Sequence, residues 1–271
     1  MKDSETGHQA RKRFGQNFLH DPQVIHRILR VINPQPDDTL VEIGPGLGAL
    51  TVPLLEKAGS LDVVELDRDV IPHLLAACGH SPNLRVTEAD ALTVDFRRYA
   101  QPGKRLRIVG NLPYNISTPI LFHLLGYAES IFDMHFMLQK EVVERMAAGP
   151  GDEAYGRLSV ALAARCEVAM LFTVGPGAFK PAPKVDSAIV RLRPRRPDFV
   201  IDDLALFDRV VTAAFSQRRK TLSNALKAHA DAETIRAAGI DPGLRAERLH
   251  ARDFARLANL LAGSARLTKP Q

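Results

Sequence analysis

Asn111-Leu112-Pro113-Tyr114 directly follows the apolar run LRIVG, and these four residues suit work on a conjugated amine. An exocyclic amine such as the N6 group of adenine is a poor nucleophile, because its lone pair is delocalised into the ring. If its two N–H groups donate to the Asn111 side-chain oxygen and the Pro113 carbonyl, the nitrogen becomes pyramidal and the lone pair localises. No deprotonating base is then required. Pro113 lacks an N–H and has a fixed φ, which helps hold its carbonyl in one direction. Tyr114 offers a flat face for a base to stack on, a contact worth roughly 1–3 kcal/mol. A bare string of this kind is also an ordinary strand-ending turn, so its meaning depends on what surrounds it.

A second group lies upstream. VEIGPGLGALT (41 to 51) sets Gly44, Gly46 and Gly48 between a strand pattern and a helix pattern. There the lack of a Cβ allows a sharp turn and close approach of a ligand. NAD, FAD and S-adenosylmethionine all fit such a turn. Glu65, nineteen residues after Gly46, can accept both ribose hydroxyls of an adenosine, and Asp90 can accept an adenine amine. The spacing is GxGxG rather than GxGxxG, and no hydride-transfer chemistry is evident, which weighs against a dinucleotide. Taken in order, the Gly turn, Glu65, Asp90 and Asn111 favour S-adenosylmethionine as the cofactor.

The elements that must position these residues can be read from periodicity. Asp21 caps a first helix, Pro22 begins it, and Val24, Ile25, Ile28, Leu29 and Ile32 form its apolar stripe. From Thr39 short apolar runs alternate with helical patterns: TLVEI then 48 to 58, LDVVEL then 68 to 77, LRVTEA, LRIVG then 118 to 127. That alternation predicts βαβ units and a parallel sheet. Three more strands are expected at 131 to 139, 166 to 172 and 186 to 192. No helix separates the last two, so the final strand should run antiparallel. The expectation is an α/β class I Rossmann-like methyltransferase sheet of seven strands, the last antiparallel. Residues 1 to 10 read as a disordered tail and 11 to 197 as the methyltransferase domain. The helix-rich stretch 198 to 271, with 202 to 263 reading as helix throughout, is expected to be a small all-α C-terminal domain.

A chain of 271 residues that is 45% hydrophobic can bury a sizeable core. Cys78 and Cys166 are the only cysteines, which argues against a disulfide framework and for a reducing, cytoplasmic setting. The opening MKDSETGHQARKRFG has no apolar core, and no eighteen-residue apolar run occurs, so neither secretion nor a membrane partner is expected. No metal is expected. The net charge of +5 is concentrated in two clusters. Lys180, Lys184, Arg191, Arg193, Arg195 and Arg196 fall within seventeen residues, and Arg218, Arg219 and Lys220 open what reads as the helix SQRRKTLSNAL. The two clusters are expected to form one basic face for RNA phosphates.

Together RKRFGQNFL, VEIGPGLGALT, VELDRD, GNLPYNIS, MLQKEVVERM, YGRLSV, FKPAPKVDSA and SQRRKTLSNAL resemble the rRNA adenine N6-dimethyltransferases, from Arg11 to the C-terminal helices. MLQKEVVERM, YGRLSV and FKPAPKVDSA look more like the branch acting on the bacterial small subunit than the macrolide-resistance branch acting on 23S rRNA. The resemblance implies that the FGQNFL segment closes over the cofactor, making Asn17 and Leu19 contacts along with Gly44, Gly46, Glu65, Asp90 and Asn111. It also implies dimethylation of two adjacent adenosines near the 3′ end of 16S rRNA in the immature small subunit, by a chain expected to be a monomer. Phe179 lies in a loop the family places near the active site, where it can stack on the target adenine or serve the core. One departure is GPGAFKPAPKV, where the family commonly has PPxxFxPxPKV.

Two other functions compete. A DNA adenine-N6 methyltransferase uses a similar motif, but usually with Pro where this chain has Leu112, and the chain shows no separate DNA-reading domain. An RNA-binding assembly factor without catalysis would not need an intact Gly turn, Glu65 and NLPY.

Overall fold

The computed structural model describes residues 17–113, 116–217 and 219–267, with side chains to residue 263. The expected tail at 1 to 10, most of the RKRFGQNFL motif, Tyr114 and Arg218 lie outside the described residues. The chain forms two compact units. One runs to Val143 and includes Ala169–Pro194; the other takes in Glu144–Val168 and the chain from Arg195.

The first unit begins with β1 (Phe18–Leu19) and α1 (Pro22–Ile32). The Asp21 carboxylate accepts the Gln23 and Val24 N–H groups at 2.8 and 3.2 Å, and Asn33 ends the helix with φ 49°. There follow β2 (Thr39–Ile43), α2 (Thr51–Ala58), β3 (Leu61–Glu65), α3 (Ile71–Ala77), β4 (Leu84–Glu88), β5 (Leu106–Asn111), α4 (Ser117–Leu125) and β6 (Ile131–Gln139). Between β4 and β5 stands a single 3-10 turn, Phe96–Tyr99. After β6 come α5 (Lys140–Ala147), α6 (Arg157–Ala163), β7 (Cys166–Val174), β8 (Phe179–Lys180) and β9 (Ser187–Pro194).

Seven strands form one sheet in the order β4-β3-β2-β5-β6-β9-β7. β2 to β6 are parallel, and β9 runs antiparallel to β6, as the helix-free connection predicts. β2 and β3 are buried along their whole length, which is why they read as apolar runs and not as alternations. Leu40, Leu54, Leu61, Val63, Leu74 and Val109 belong to the core on one side. Strand order reverses between β2 and β5, so a crevice opens at their carboxyl ends.

β1 and β8 form a separate two-stranded antiparallel sheet, with Phe18 opposite Lys180 and Leu19 opposite Phe179. The His20 N–H continues the tie by donating to the Ala178 carbonyl at 2.9 Å. Sequence periodicity holds no sign of this pairing.

The second unit contains α6 and, further on, α7 (Leu204–Ala214), α8 (Leu222–Ala225), α9 (Ala232–Ala237) and α10 (Ala251–Leu267). Its core includes Tyr155, Val160, Phe207, Leu222, Ile235 and Phe254. The stretch 202 to 263 is therefore not continuous helix. Asp203 and Asp231 cap new starts by accepting the Leu206 and Thr234 N–H groups, while Gly239 at φ 74° and the following Asp241-Pro242-Gly243 interrupt the pattern. Apolar spacing alone hides such breaks.

Candidate active site

A cavity of about 220 Å³ opens at the carboxyl ends of β2, β3 and β5. Asn17, Leu19, Gly44, Gly46, Glu65, Asp90 and Asn111, the expected cofactor contacts, all line it, with Pro113 and Phe179. Elements separated by more than a hundred residues in sequence converge there because the parallel strands all end on one side.

The Gly turn follows β2. Gly44 adopts φ 68° and its N–H donates to the Val64 carbonyl at 2.9 Å, holding the turn onto β3. Gly46 adopts φ 55°, and a Cβ there would sit 3.2 Å from the Phe18 ring. A side chain at 46 would thus be strained and would push β1 away. The motif glycine and the N-terminal segment are in this way fitted to each other. Gly110 is a further requirement: a Cβ would lie 2.6 Å from the Ile43 carbonyl oxygen, which only glycine avoids. Close approach of β5 to β2 brings Asn111 to the mouth of the Gly turn.

Glu65 is buried at the end of β3. Its Oε2 accepts the Gly46 N–H at 3.3 Å and its Oε1 the Asp67 N–H at 2.8 Å. Burial raises its pKa above the ordinary carboxylate value, although those backbone donors favour the charged form. Each oxygen retains a lone pair for a hydroxyl donor. Asp90, half-buried, accepts the Leu92 N–H through Oδ1 at 2.9 Å, and its Oδ2 has no partner among the described residues.

Asn111 donates from Nδ2 to the Asn17 carbonyl at 3.2 Å, and its Oδ1 has no partner among the described residues. The Leu112 N–H donates to the Met137 carbonyl at 3.3 Å, and the Ile116 N–H to the Pro113 carbonyl at 3.2 Å. The Pro113 carbonyl therefore spends one lone pair on closing its own turn and has one left. The Tyr114 part of the motif lies outside the described residues.

Phe179 is 4% exposed, belongs to the core beside Leu19 and Met137, and also walls the cavity. The core role is met, and the ring's place on the cavity wall leaves the stacking role to experiment. Lys180 and Lys184 are exposed, one in β8 and one in the loop before β9. The basic cluster around them is divided by the direction of β9, however. Ser187 pairs with Gln139 at the carboxyl end of β6, while Leu192 pairs with Met134 near the other end. Arg193 is therefore carried away from Lys184 to the opposite end of the sheet, so the first basic cluster is split between the two ends of β9. Arg219 and Lys220 are exposed in the second unit, on the turn before α8 and not in a helix. Arg218 lies outside the described residues.

Sequence reasoning missed Glu42 and Leu66. Glu42, 2% exposed, lines the cavity, and its Oε2 has no hydrogen-bond partner among the described residues. Burial pushes its carboxyl up to about 7, and the nearby Glu65 charge adds to the effect. A charged residue within the otherwise apolar TLVEI was the available signal. Leu66, 52% exposed, also lines the cavity, an apolar surface on which a flat ring can lie.

Fold and site together define a Rossmann-like methyltransferase, with a crevice at the strand ends that Asn111, Leu112 and Pro113 help to line. Residues 7–263 match the family model described as ribosomal RNA adenine dimethylase. The chain belongs to the ribosomal RNA adenine dimethylase family. It is 56% identical over 262 residues to ribosomal RNA small subunit methyltransferase A of Marinobacter nauticus, covering 96% of this chain and 95% of the other. The protein of the same name from Nitrosococcus oceani is 58% identical over 250 residues, covering 92% and 94%. Among solved structures, a dimethyladenosine transferase from Plasmodium falciparum superposes with TM-score 0.80 at 27% identity, covering 92% of this chain and 98% of that one. The 23S rRNA methyltransferase ErmE gives 0.71 at 29% identity, covering 91% and 100%.

Proposed function

We propose that the chain transfers methyl groups from S-adenosylmethionine to the N6 amines of two adjacent adenosines near the 3′ end of 16S rRNA, acting on the immature small subunit as a cytoplasmic monomer. The carrying observation is Asn111: its amide nitrogen is held by the Asn17 carbonyl at 3.2 Å, at the edge of the cavity, so its oxygen is left for the substrate. No helix among the described residues is long and apolar enough to cross a membrane.

The residues present fit the cofactor. The orphaned Oε2 of Glu42 is a buried acceptor suited to an ammonium group, and the side-chain-free Gly46 leaves room at the turn. S-Adenosylmethionine supplies an electrophilic methyl group on a sulfonium centre. Glu65 would accept the ribose hydroxyls, Asp90 the adenine amine, and Asn17, Leu19, Gly44 and Gly46 would enclose the rest. Asn111 Oδ1 and the second lone pair of the Pro113 carbonyl would accept the two N–H groups of the target amine. In this reading a free acceptor pair, and not a base, activates the nucleophile. Tyr114 and Phe179 would face the flipped adenine, and Lys180, Lys184, Arg218, Arg219 and Lys220 would hold phosphates.

The test is methyl transfer to immature small subunits, naked 16S rRNA, 23S rRNA and duplex DNA in parallel. Up to four methyl groups per small-subunit particle are expected, with little transfer to the others. Preferential methylation of 23S rRNA or DNA would replace this reading with one of the competing ones.

A further inference from the structure

Arg193, which β9 carries away from the active site, shares an unusual partner with Arg107 of β5 and with Arg105 just before that strand. Phe132, near the start of β6, is 43% exposed, and three guanidinium groups pack on its ring. Arg105 lies 5.1 Å from the ring centroid, Arg107 5.9 Å and Arg193 5.9 Å. Their chemical states differ. Arg107 is buried, and its donors are taken by Asp133, Asp38 and the carbonyls of Ile32 and Asn33. Arg105 and Arg193 are exposed, and neither meets a carboxylate among the described residues.

We propose that Arg105, Phe132 and Arg193 form a second RNA-holding surface at the end of the sheet away from the cavity. The proposal rests on the RNA-substrate reading above. Contact with the Phe132 ring orients each exposed Arg side chain while leaving its N–H fork available, and planar guanidinium forks suit the charge and geometry of phosphate oxygens. An acidic protein partner would also see positive charge. It would gain nothing from the stacked arrangement that a nucleotide, with both phosphate and planar base, can use. Arg105 immediately precedes β5, whose last residue is Asn111, so the two are about 20 Å apart at the usual strand rise. This surface therefore grips RNA distant from the target adenosine, which supplies selectivity that an adenine pocket lacks.

The experiment measures binding of the full chain to immature small subunits across a salt series, for the wild type, the Arg105→Ala/Arg193→Ala double variant and Arg105→Lys/Arg193→Lys. Both positions altered here are exposed, and cofactor binding by calorimetry checks that the variants are folded. The alanine double variant should bind roughly 10- to 20-fold more weakly near physiological salt, with a salt slope shallower by about 1.5 log units for two lost phosphate contacts. The lysine variant should recover the slope. A wild-type slope in the alanine variant overturns the proposal, as does weakened binding with an unchanged slope, which would indicate a protein partner. If the wild type itself neither binds nor methylates small subunits, it is the functional reading that fails.

Discussion

Arg107 and Glu42 are both buried charged residues in neighbouring strands of one sheet, yet their surroundings differ completely. Arg107 donates to two carboxylates and two backbone carbonyls, with its shortest bonds at 2.6 and 2.7 Å. Glu42 lies at the crevice end of β2 with one oxygen unmatched. A buried charge with every partner supplied holds elements together, whereas one left incomplete beside a cavity is built to be completed by something else. His135 limits the rule. Both its ring nitrogens lack hydrogen-bond partners among the described residues, but it does not line the cavity, and burial pushes its pKa down to about 4. The imidazole is neutral there at ordinary pH, and an orphan away from a cavity needs no ligand.

The largest effect should come from breaking the completed network. Asp133→Ala leaves Arg107 buried without its main partner and should cost about 3–5 kcal/mol of stability by denaturant unfolding. Cofactor affinity of the folded protein should not change; a stability loss below about 1 kcal/mol would place Arg107 among the incomplete charges.

At the other end, Asn111→Ala should slow single-turnover methylation by roughly 10²–10³-fold, the effect of losing one preorganised polar group at a reacting centre. Stability should hardly move. Near wild-type rates would remove Asn111 from the chemistry.

Glu42 separates the two behaviours through pH. Its carboxyl rises from the ordinary 4.5 to about 7 in the folded chain, so folding carries no penalty below about pH 4.5. The penalty grows as pH rises, is complete above about 7, and reaches at most about 3 kcal/mol. Glu42→Gln should therefore raise the Tm of the cofactor-free protein at pH 8 and leave it nearly unchanged at pH 4, while weakening cofactor binding. An equal gain at both values would show that the carboxylate charge is not the source.

Glu65→Ala is the smallest of the set. Its backbone donors already satisfy part of the carboxylate, so the loss should appear in calorimetric cofactor affinity, by about 1.5–3 kcal/mol, with RNA affinity kept. Unchanged cofactor affinity would mean the ribose is held elsewhere.

Much of the first unit was legible because its signals are local. TLVEI and LDVVEL are continuous apolar runs, the Gly turn sits where a strand gives way to a helix, and GPGAFKPAPKV leaves no room for a crossover helix, so β9 had to reverse. Glu65, Asp90 and Asn111 were placed together with the Gly turn by motif order, and Asn17 by the family resemblance. What escaped depends on distance in the chain. Two-residue strands such as β1 and β8 have no period to read, and a basic cluster looks continuous until the direction of its strand is known. In the second unit, Asp231 and Gly239 mark the breaks that the apolar spacing of 202 to 263 conceals.

The pairing of Phe18–Leu19 with Phe179–Lys180 also bears on the order of synthesis. A nascent chain that has emerged as far as Val174 already has the Gly turn, Glu65 and Asn111, but has no strand on which β1 can dock. One wall of the cofactor cavity thus closes across about 160 residues, and such long-range pairings form late. The growing chain can assemble most of its sheet before it has a finished place to hold a cofactor.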